Sequence, residues 1–347
     1  MQKIDNIEIK NFKSIRHQKI EGCKRINVFV GAPNVGKSNI LEALSLMCFE
    51  NNRSGLLKDF CRFDLLINIF NDGDSAKDAE IICRNKKYSL KYKNESHLTF
   101  QVEDTNSVST KILGKTPVLN NLKFDHHGQP TLISDNTEIS EISPVKKYQF
   151  KIGSSINSKN DAKTLESPFG RNLALVLRHN KDVRQECGEL FDIYNLKLIF
   201  DKDDNIVVQK KLDEFTAFQF SVSQIADTLQ RLIFHKAAIA SNNNAVLLFE
   251  EPEAQMFPPY ISKFTGDMVY NENNNQFFIT THSPFVLNDL LDNAESEDLA
   301  IYVVSYKNDT GETKINRMSD LDKREAYQFG YDFFMNINQF IPQETNG

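Results

Sequence analysis

The feature that most constrains this chain is the run "VFVGAPNVGKSNILEAL" at residues 28–44, which changes character twice. "RINVFV" (25–30) is apolar and β-branched, as a strand covered on both faces requires. Gly31 to Gly36 break that run. Behind Lys37 and Ser38 the apolar Ile40, Leu41, Leu44, Leu46 and Met47 return at helical spacing. Strand, glycine-bounded turn and helix in this order aim backbone N–H groups at one point, at the positive end of a helix dipole. The spacing Gly31-x-x-x-x-Gly36-Lys37-Ser38 makes that point a phosphate cradle, in which Lys37 reaches the β- and γ-phosphates and Ser38 offers its hydroxyl to Mg²⁺. Asn34, Val35, Gly36 and Asn39 belong to the stretch expected to line the cradle.

A phosphate cradle needs partners, and two candidates stand far along the chain. "AVLLFEEPEAQMFPP" places an apolar run ahead of the adjacent carboxylates Glu250 and Glu251. Successive strand residues point to opposite faces, so one acid can join the Mg²⁺ shell while the other turns towards an attacking water. About 30 residues later "QFFITTHSPF" reads as a second buried strand ending at His282, placed to hydrogen-bond the γ-phosphate or that water. The other histidines show no partner at metal-ligand spacing, and His126-His127 reads as a polar loop.

Between these motifs the pattern is mixed. Ile4, Ile7, Ile9 and Phe12 alternate as in a strand, and residues 80–103 read as a meander of short antiparallel strands. Residues 104–170 are polar and predict loops and short strands. Helical spacing resumes over 171–179, 181–194 and 222–240, with strands at "LKLIFD" and "NIVVQKK" around a turn at Asp203-Asp204-Asn205, and strand, turn, strand and a closing helix after His282.

Composition excludes several classes. Apolar residues make up 40% and charged residues 25%, which suits a folded globular chain, and the formal charge of −6 argues against a uniformly basic nucleic-acid coater. Five cysteines with no C-x-x-C pair point to reduced thiols, and no run approaches a membrane span. The start "MQKIDNIEIKNFKS" lacks the apolar core of a signal peptide, so a cytoplasmic location without a membrane partner is expected. The runs "RNKKYSLKYK", "PVKKYQFK" and "QKK" mix cations with aromatics, which fits either a solvated strand face or a stripe tracking nucleic-acid phosphates.

Together, "GAPNVGKS", "LLFEEPEAQMFPP", "TTHS" and the opening "IEIKNFKSI" resemble the Walker A, Walker B and switch-histidine motifs of ABC-type ATPases of the RecF, SMC and OLD kind. The resemblance covers roughly residues 1–50 and 218–305. It implies an α/β P-loop NTPase of the ABC ATPase head type, with a mostly parallel central sheet, an antiparallel β-layer and a helical insertion. A single head would be assembled from 1–110 and 215–347, with 111–214 inserted. ATP and Mg²⁺ would be its cofactors, and two heads would close as a homodimer around two ATP molecules. Carried over, Lys37 and Ser38 are the Walker A pair, Glu250 the metal-side acid, Glu251 the base and His282 the switch residue. Lys13 matches a basic position near the nucleotide, although an edge-strand lysine in water reads the same way.

Two positions depart from the family pattern. Glu250 stands where Asp is usual, and its extra methylene favours a water-bridged contact with Mg²⁺. The stretch "SVSQIADTLQRLIFHKAAI" lacks the glycine of the usual signature, leaving Thr228 to offer a hydroxyl at a helix N-terminus capped by Asp227. The resemblance implies a switch ATPase controlling a separate effector, a nuclease or toxin, in bacterial anti-phage defence; a RecF-like DNA-maintenance ATPase is the alternative. Only 65 residues follow His282 (347 − 282), too few for a nuclease domain of ~100 residues, so a nuclease is expected on another polypeptide.

Overall fold

The computed structural model describes residues 3–50, 55–105, 118–132, 144–151, 163–202, 205–307 and 309–342. The Asp203-Asp204 part of the expected turn lies outside them.

At the centre is a six-stranded sheet in the order β16-β15-β3-β14-β13-β9. Its members are β3 (Ile26–Val30), β9 (Val145–Tyr148), β13 (Val246–Glu250), β14 (Gln276–Thr281), β15 (Leu299–Lys307) and β16 (Glu312–Arg317). Pairings are parallel except at β15–β16. Successive strand residues face opposite sides, and both sides are buried. Val28, Val30, Leu247, Phe249, Phe277 and Ile279 join one core, whereas Phe29, Val246, Leu248, Phe278 and Tyr302 join the other. This double burial accounts for the uninterrupted apolar runs in the sequence.

Each core is closed by a different layer. Over the first lie α3 (Leu173–His179), α4 (Lys181–Asp192), α5 (Asp227–Ala240), α6 (Pro258–Val269), α7 (Pro284–Asn293) and α8 (Asp320–Phe329). Over the second lies α1 (Lys37–Ser45), through Ile40, Leu41 and Leu44, together with the one-turn α2 (Leu57–Phe60). A seven-stranded antiparallel sheet, β2-β1-β4-β5-β6-β7-β8, completes that side. It contains β1 (Ile7–Phe12), β2 (Ile15–Ile20), β4 (Ala79–Cys83), β5 (Lys86–Asn94), β6 (His97–Asp104), β7 (Val118–Asp125) and β8 (Pro130–Leu132). A small sheet of β10 (Leu196–Phe200), β11 (Ile206–Lys211) and β12 (Ala217–Ser221) stands apart from both.

The segment read from sequence as 111–214 holds strands as well as the helices α3 and α4: β7 and β8 extend the antiparallel sheet, β9 is an edge strand of the central sheet, and β10 and β11 form a small sheet with β12, which lies beyond 214. β7, β8 and β9 fall where the polar composition of 104–170 predicts short strands, although composition could not say which sheet each joins.

Cations in two of the three basic runs find partners, whereas Lys210 and Lys211 of the third are exposed on β11. Lys86 pairs with Glu50, Lys87 with Glu80 and Glu103, and Lys91 with Asp78. Lys147 is buried and donates to the Phe60 carbonyl oxygen. All five cysteines are free thiols and buried. Among the described residues no helix is long and apolar enough to cross a membrane.

Candidate functional site

The register of three adjacent strands brings the separated motifs together. Val30 of β3 pairs with Thr281 of β14, and Glu250 of β13 pairs with Thr280. The three carboxyl ends therefore finish level, where ligands of open α/β sheets bind. From them emerge the loop 31–36, the acids 250 and 251, and His282.

The loop is built for close approach by an anion. Gly36 has φ 98°, and a Cβ there would lie 2.1 Å from Thr313 Oγ1 and 2.7 Å from Ser14 Oγ, so only glycine fits. Asn34 also takes the left-handed conformation, at φ 63°. The Val35 carbonyl oxygen accepts from Thr313 Oγ1 at 2.9 Å, and the Asn39 amide donates to Ser14 Oγ at 2.7 Å. These bonds fasten the loop and the start of α1 to β16 and to the β1–β2 turn.

Lys37 is 4% exposed, and its Nζ donates to the carbonyl oxygens of Gly31 (3.0 Å) and Ala32 (2.8 Å). Burial lowers its pKa to about 8, against the opposing pull of Glu251 and Glu253. An ammonium folded onto neutral carbonyls in the middle of a glycine-bounded loop is chemically suited to a polyanion.

Across from it, β13 ends at Glu250, and Glu251 enters the left-handed region at φ 43°. The two acids are thus separated by a turn in the chain, not by strand alternation alone as the sequence suggested. The Glu251 N–H donates to the Thr280 carbonyl oxygen at 3.1 Å, and its Oε1 stands 3.3 Å from His282 Nε2. Burial and the nearby Lys37 hold the His282 pKa below the ordinary value, with Glu251 pulling the other way. Lys37, Glu251 and His282 therefore share one electrostatic site.

Glu250 looks elsewhere. Its Oε1 accepts from Arg62 Nη2 at 3.0 Å, and its Oε2 is 3.9 Å from Lys147 Nζ. Arg62 also donates from Nε to Glu42, a wholly buried acid on α1, at 2.6 Å. Lys13 sits in the β1–β2 turn at φ 49° with its ammonium on that same Glu42. It is neither a solvated edge-strand lysine nor a free cation facing the loop.

Thr228 lies in the first turn of α5, and its hydroxyl donates to the Gln255 carbonyl oxygen at 2.9 Å. The helix N-cap is Ala226, so Asp227 is a first-turn residue, not the expected cap, and it pairs with Arg231 at 2.9 Å. Residues 251–256 thus join the acid strand to the start of α5.

Sequence reasoning missed Arg62, Lys147, Glu42 and Glu253 in this constellation. Arg62 and Lys147 carry no motif. Glu253 stands inside "EEPEA", so its signal was present as a third carboxylate.

Among the described residues no group of three or more His, Cys, Asp or Glu side chains is arranged to hold a metal. Ser38 and Glu250 offer hard oxygens, a donor set that suits Mg²⁺ when phosphate and water fill the rest of its shell.

This geometry defines an ABC-type ATPase head of the RecF and SMC kind. The AAA_23 family model, an AAA domain, matches residues 6–256, and the chain belongs to that family. Its structure is similar to that of an SMC head bound to the C-terminal domain of ScpA derived from Pyrococcus furiosus, with TM-score 0.55, 14% identity, and coverage of 94% of this chain and 99% of that one. An SmcHead bound to the C-winged helix domain of ScpA gives TM-score 0.53 at 15% identity, with coverage of 92% and 99%. In sequence it is 23% identical to the Septu protein PtuA of Bacillus mycoides over 86% of this chain and 42% of that protein. It is 30% identical to a RecF protein of Thermoanaerobacter over 32% of this chain and 30% of the relative. The chain spans less than half the length of each of these curated relatives.

Proposed function

We propose that the protein binds and hydrolyses ATP with Mg²⁺ and acts as a molecular switch, closing as a head-to-tail homodimer that controls a separate effector. The observation that carries this reading is the meeting of Lys37, Glu251 and His282 at the level ends of three parallel strands. In it, the backbone of 34–39 cradles the triphosphate and Lys37 turns from its carbonyls to the β- and γ-phosphate oxygens. Ser38 and Glu250 would hold Mg²⁺, which would supply positive charge against the phosphates, and Glu250 would have to loosen its bond to Arg62 to do so.

Glu251 is the general base: it takes a proton from the attacking water, and His282 orients that water and the γ-phosphate. Closing the dimer brings Thr228 of one subunit towards the γ-phosphate held by the other, the role of the missing signature glycine. ATP contacts that ADP cannot make then favour the closed state. Lys13 keeps a supporting part, through Glu42. The similarity to the Septu protein PtuA extends over 86% of this chain, and the family resemblance supports an effector system in anti-phage defence.

The test is Glu251→Gln. Its hydrolysis should fall by about 10²- to 10⁴-fold, as loss of a general base implies. Sedimentation should show an ATP-dependent dimer that persists. Hydrolysis at the parental rate would remove Glu251 from the chemistry.

A further inference from the structure

We propose that Glu253 is a positioning residue for hydrolysis: its buried carboxylate clamps the end of β14 and so fixes His282 opposite Glu251. The proposal rests on the ATPase reading above and adds a residue which that reading leaves unused.

The geometry is specific. Glu253 is 9% exposed, and its Oε1 accepts from the Thr281 hydroxyl at 2.5 Å and from the His282 backbone N–H at 3.2 Å. The Thr281 hydroxyl in turn accepts from the Ser283 N–H at 2.9 Å. One carboxylate oxygen thereby organises three consecutive residues at the strand end, 281 to 283, including the N-cap of α7. Without it, the His282 N–H would be left partly buried with no acceptor, a costly state that would draw the loop into another conformation.

The second oxygen, Oε2, is buried and has no hydrogen-bond partner. Burial raises the Glu253 pKa above the ordinary carboxylate range, and its charge in turn is felt by Lys37. A buried acid held this way is expensive. Its cost is understandable where the group it holds must be aimed within about an ångström, since misplacement on that scale can slow a reaction on the order of 100-fold. Glu253 also lies in the 251–256 turn that Thr228 grips through Gln255, so the clamp is continuous with the start of α5.

The test compares Glu253→Ala, Glu253→Gln and His282→Ala, singly and combined, in the full chain. Glu253→Ala should lower kcat roughly 10- to 100-fold with KM changed less than about twofold, and Glu253→Gln, which keeps an acceptor oxygen, should recover most of the loss. In the His282→Ala background, Glu253→Ala should cost nothing further, because the two act as a unit. Independent, multiplying losses overturn the proposal, as does a Gln variant that melts like the parent but fails like Ala.

If the Ala variant does not fold, Thr281→Val, which removes the hydroxyl donor, replaces it with the same expectation. Histidine ring resonances of the nucleotide-free protein give a readout that needs no turnover. The His282 signal should shift in Glu253→Ala and hold in Glu253→Gln, and an unmoved signal in both overturns the clamp. A parent that neither binds nor hydrolyses ATP sinks the ATPase reading instead and leaves this spectroscopic result standing.

Discussion

Lys37 shows how one residue encodes the state of the site. Its pKa, lowered by burial to about 8 from 10.5, means that the folded chain binds fewer protons than the unfolded chain between those values. Its contribution to stability therefore rises with pH across that window and is least favourable below pH 8. Triphosphate should restore the charge, so nucleotide binding at pH 8.5 should take up roughly three-quarters of a proton, fading towards pH 6.5. Calorimetry in buffers of different ionisation enthalpy measures this directly, and Lys37→Met should abolish the uptake. The spacing of Gly36, Lys37 and Ser38 was legible in the sequence because a phosphate cradle demands it locally. The acceptors of Lys37, the carbonyl oxygens of Gly31 and Ala32, were not, because they follow from the path of the folded loop.

Among elements, α1 carries more than its role behind the loop. Glu42 is wholly buried on its inner face and is held by Lys13 from the β1–β2 turn and Arg62 from the loop after α2. Arg62 continues to Glu250 on β13, so a single chain of charges ties the antiparallel sheet, α1 and the acid strand. Removing one partner of a buried pair is costly, but Arg62 is 64% exposed, which reduces the penalty. Glu42→Ala should destabilise the protein by roughly 2–3 kcal/mol, a drop of several degrees in Tm by thermal unfolding. A shift within one degree would show that the network is electrostatically idle. No sequence pattern announced it, since its members are 20 or more residues apart and join only through the tertiary fold. The buried strands were legible because their apolar runs report two covered faces; β9 was not, because Lys146 and Lys147 made it look solvated although Lys147 is 3% exposed.

For the whole molecule, charge decides between protein and nucleic-acid partners. The net charge is −6, and three of the five cations of the 84–93 run, Lys86, Lys87 and Lys91, are paired with Glu50, Glu80, Glu103 and Asp78. Binding to duplex DNA should therefore be weak at 150 mM salt with a shallow salt dependence in fluorescence anisotropy. A log–log slope steeper than about −4 would mean several phosphate contacts and would favour the RecF-like alternative. The placement of β3 has a further consequence. Both its neighbours, β14 and β15, are made some 250 residues after it, so on the ribosome β3 and the loop behind it must wait, strand unpaired, until residues 276–307 have been synthesised.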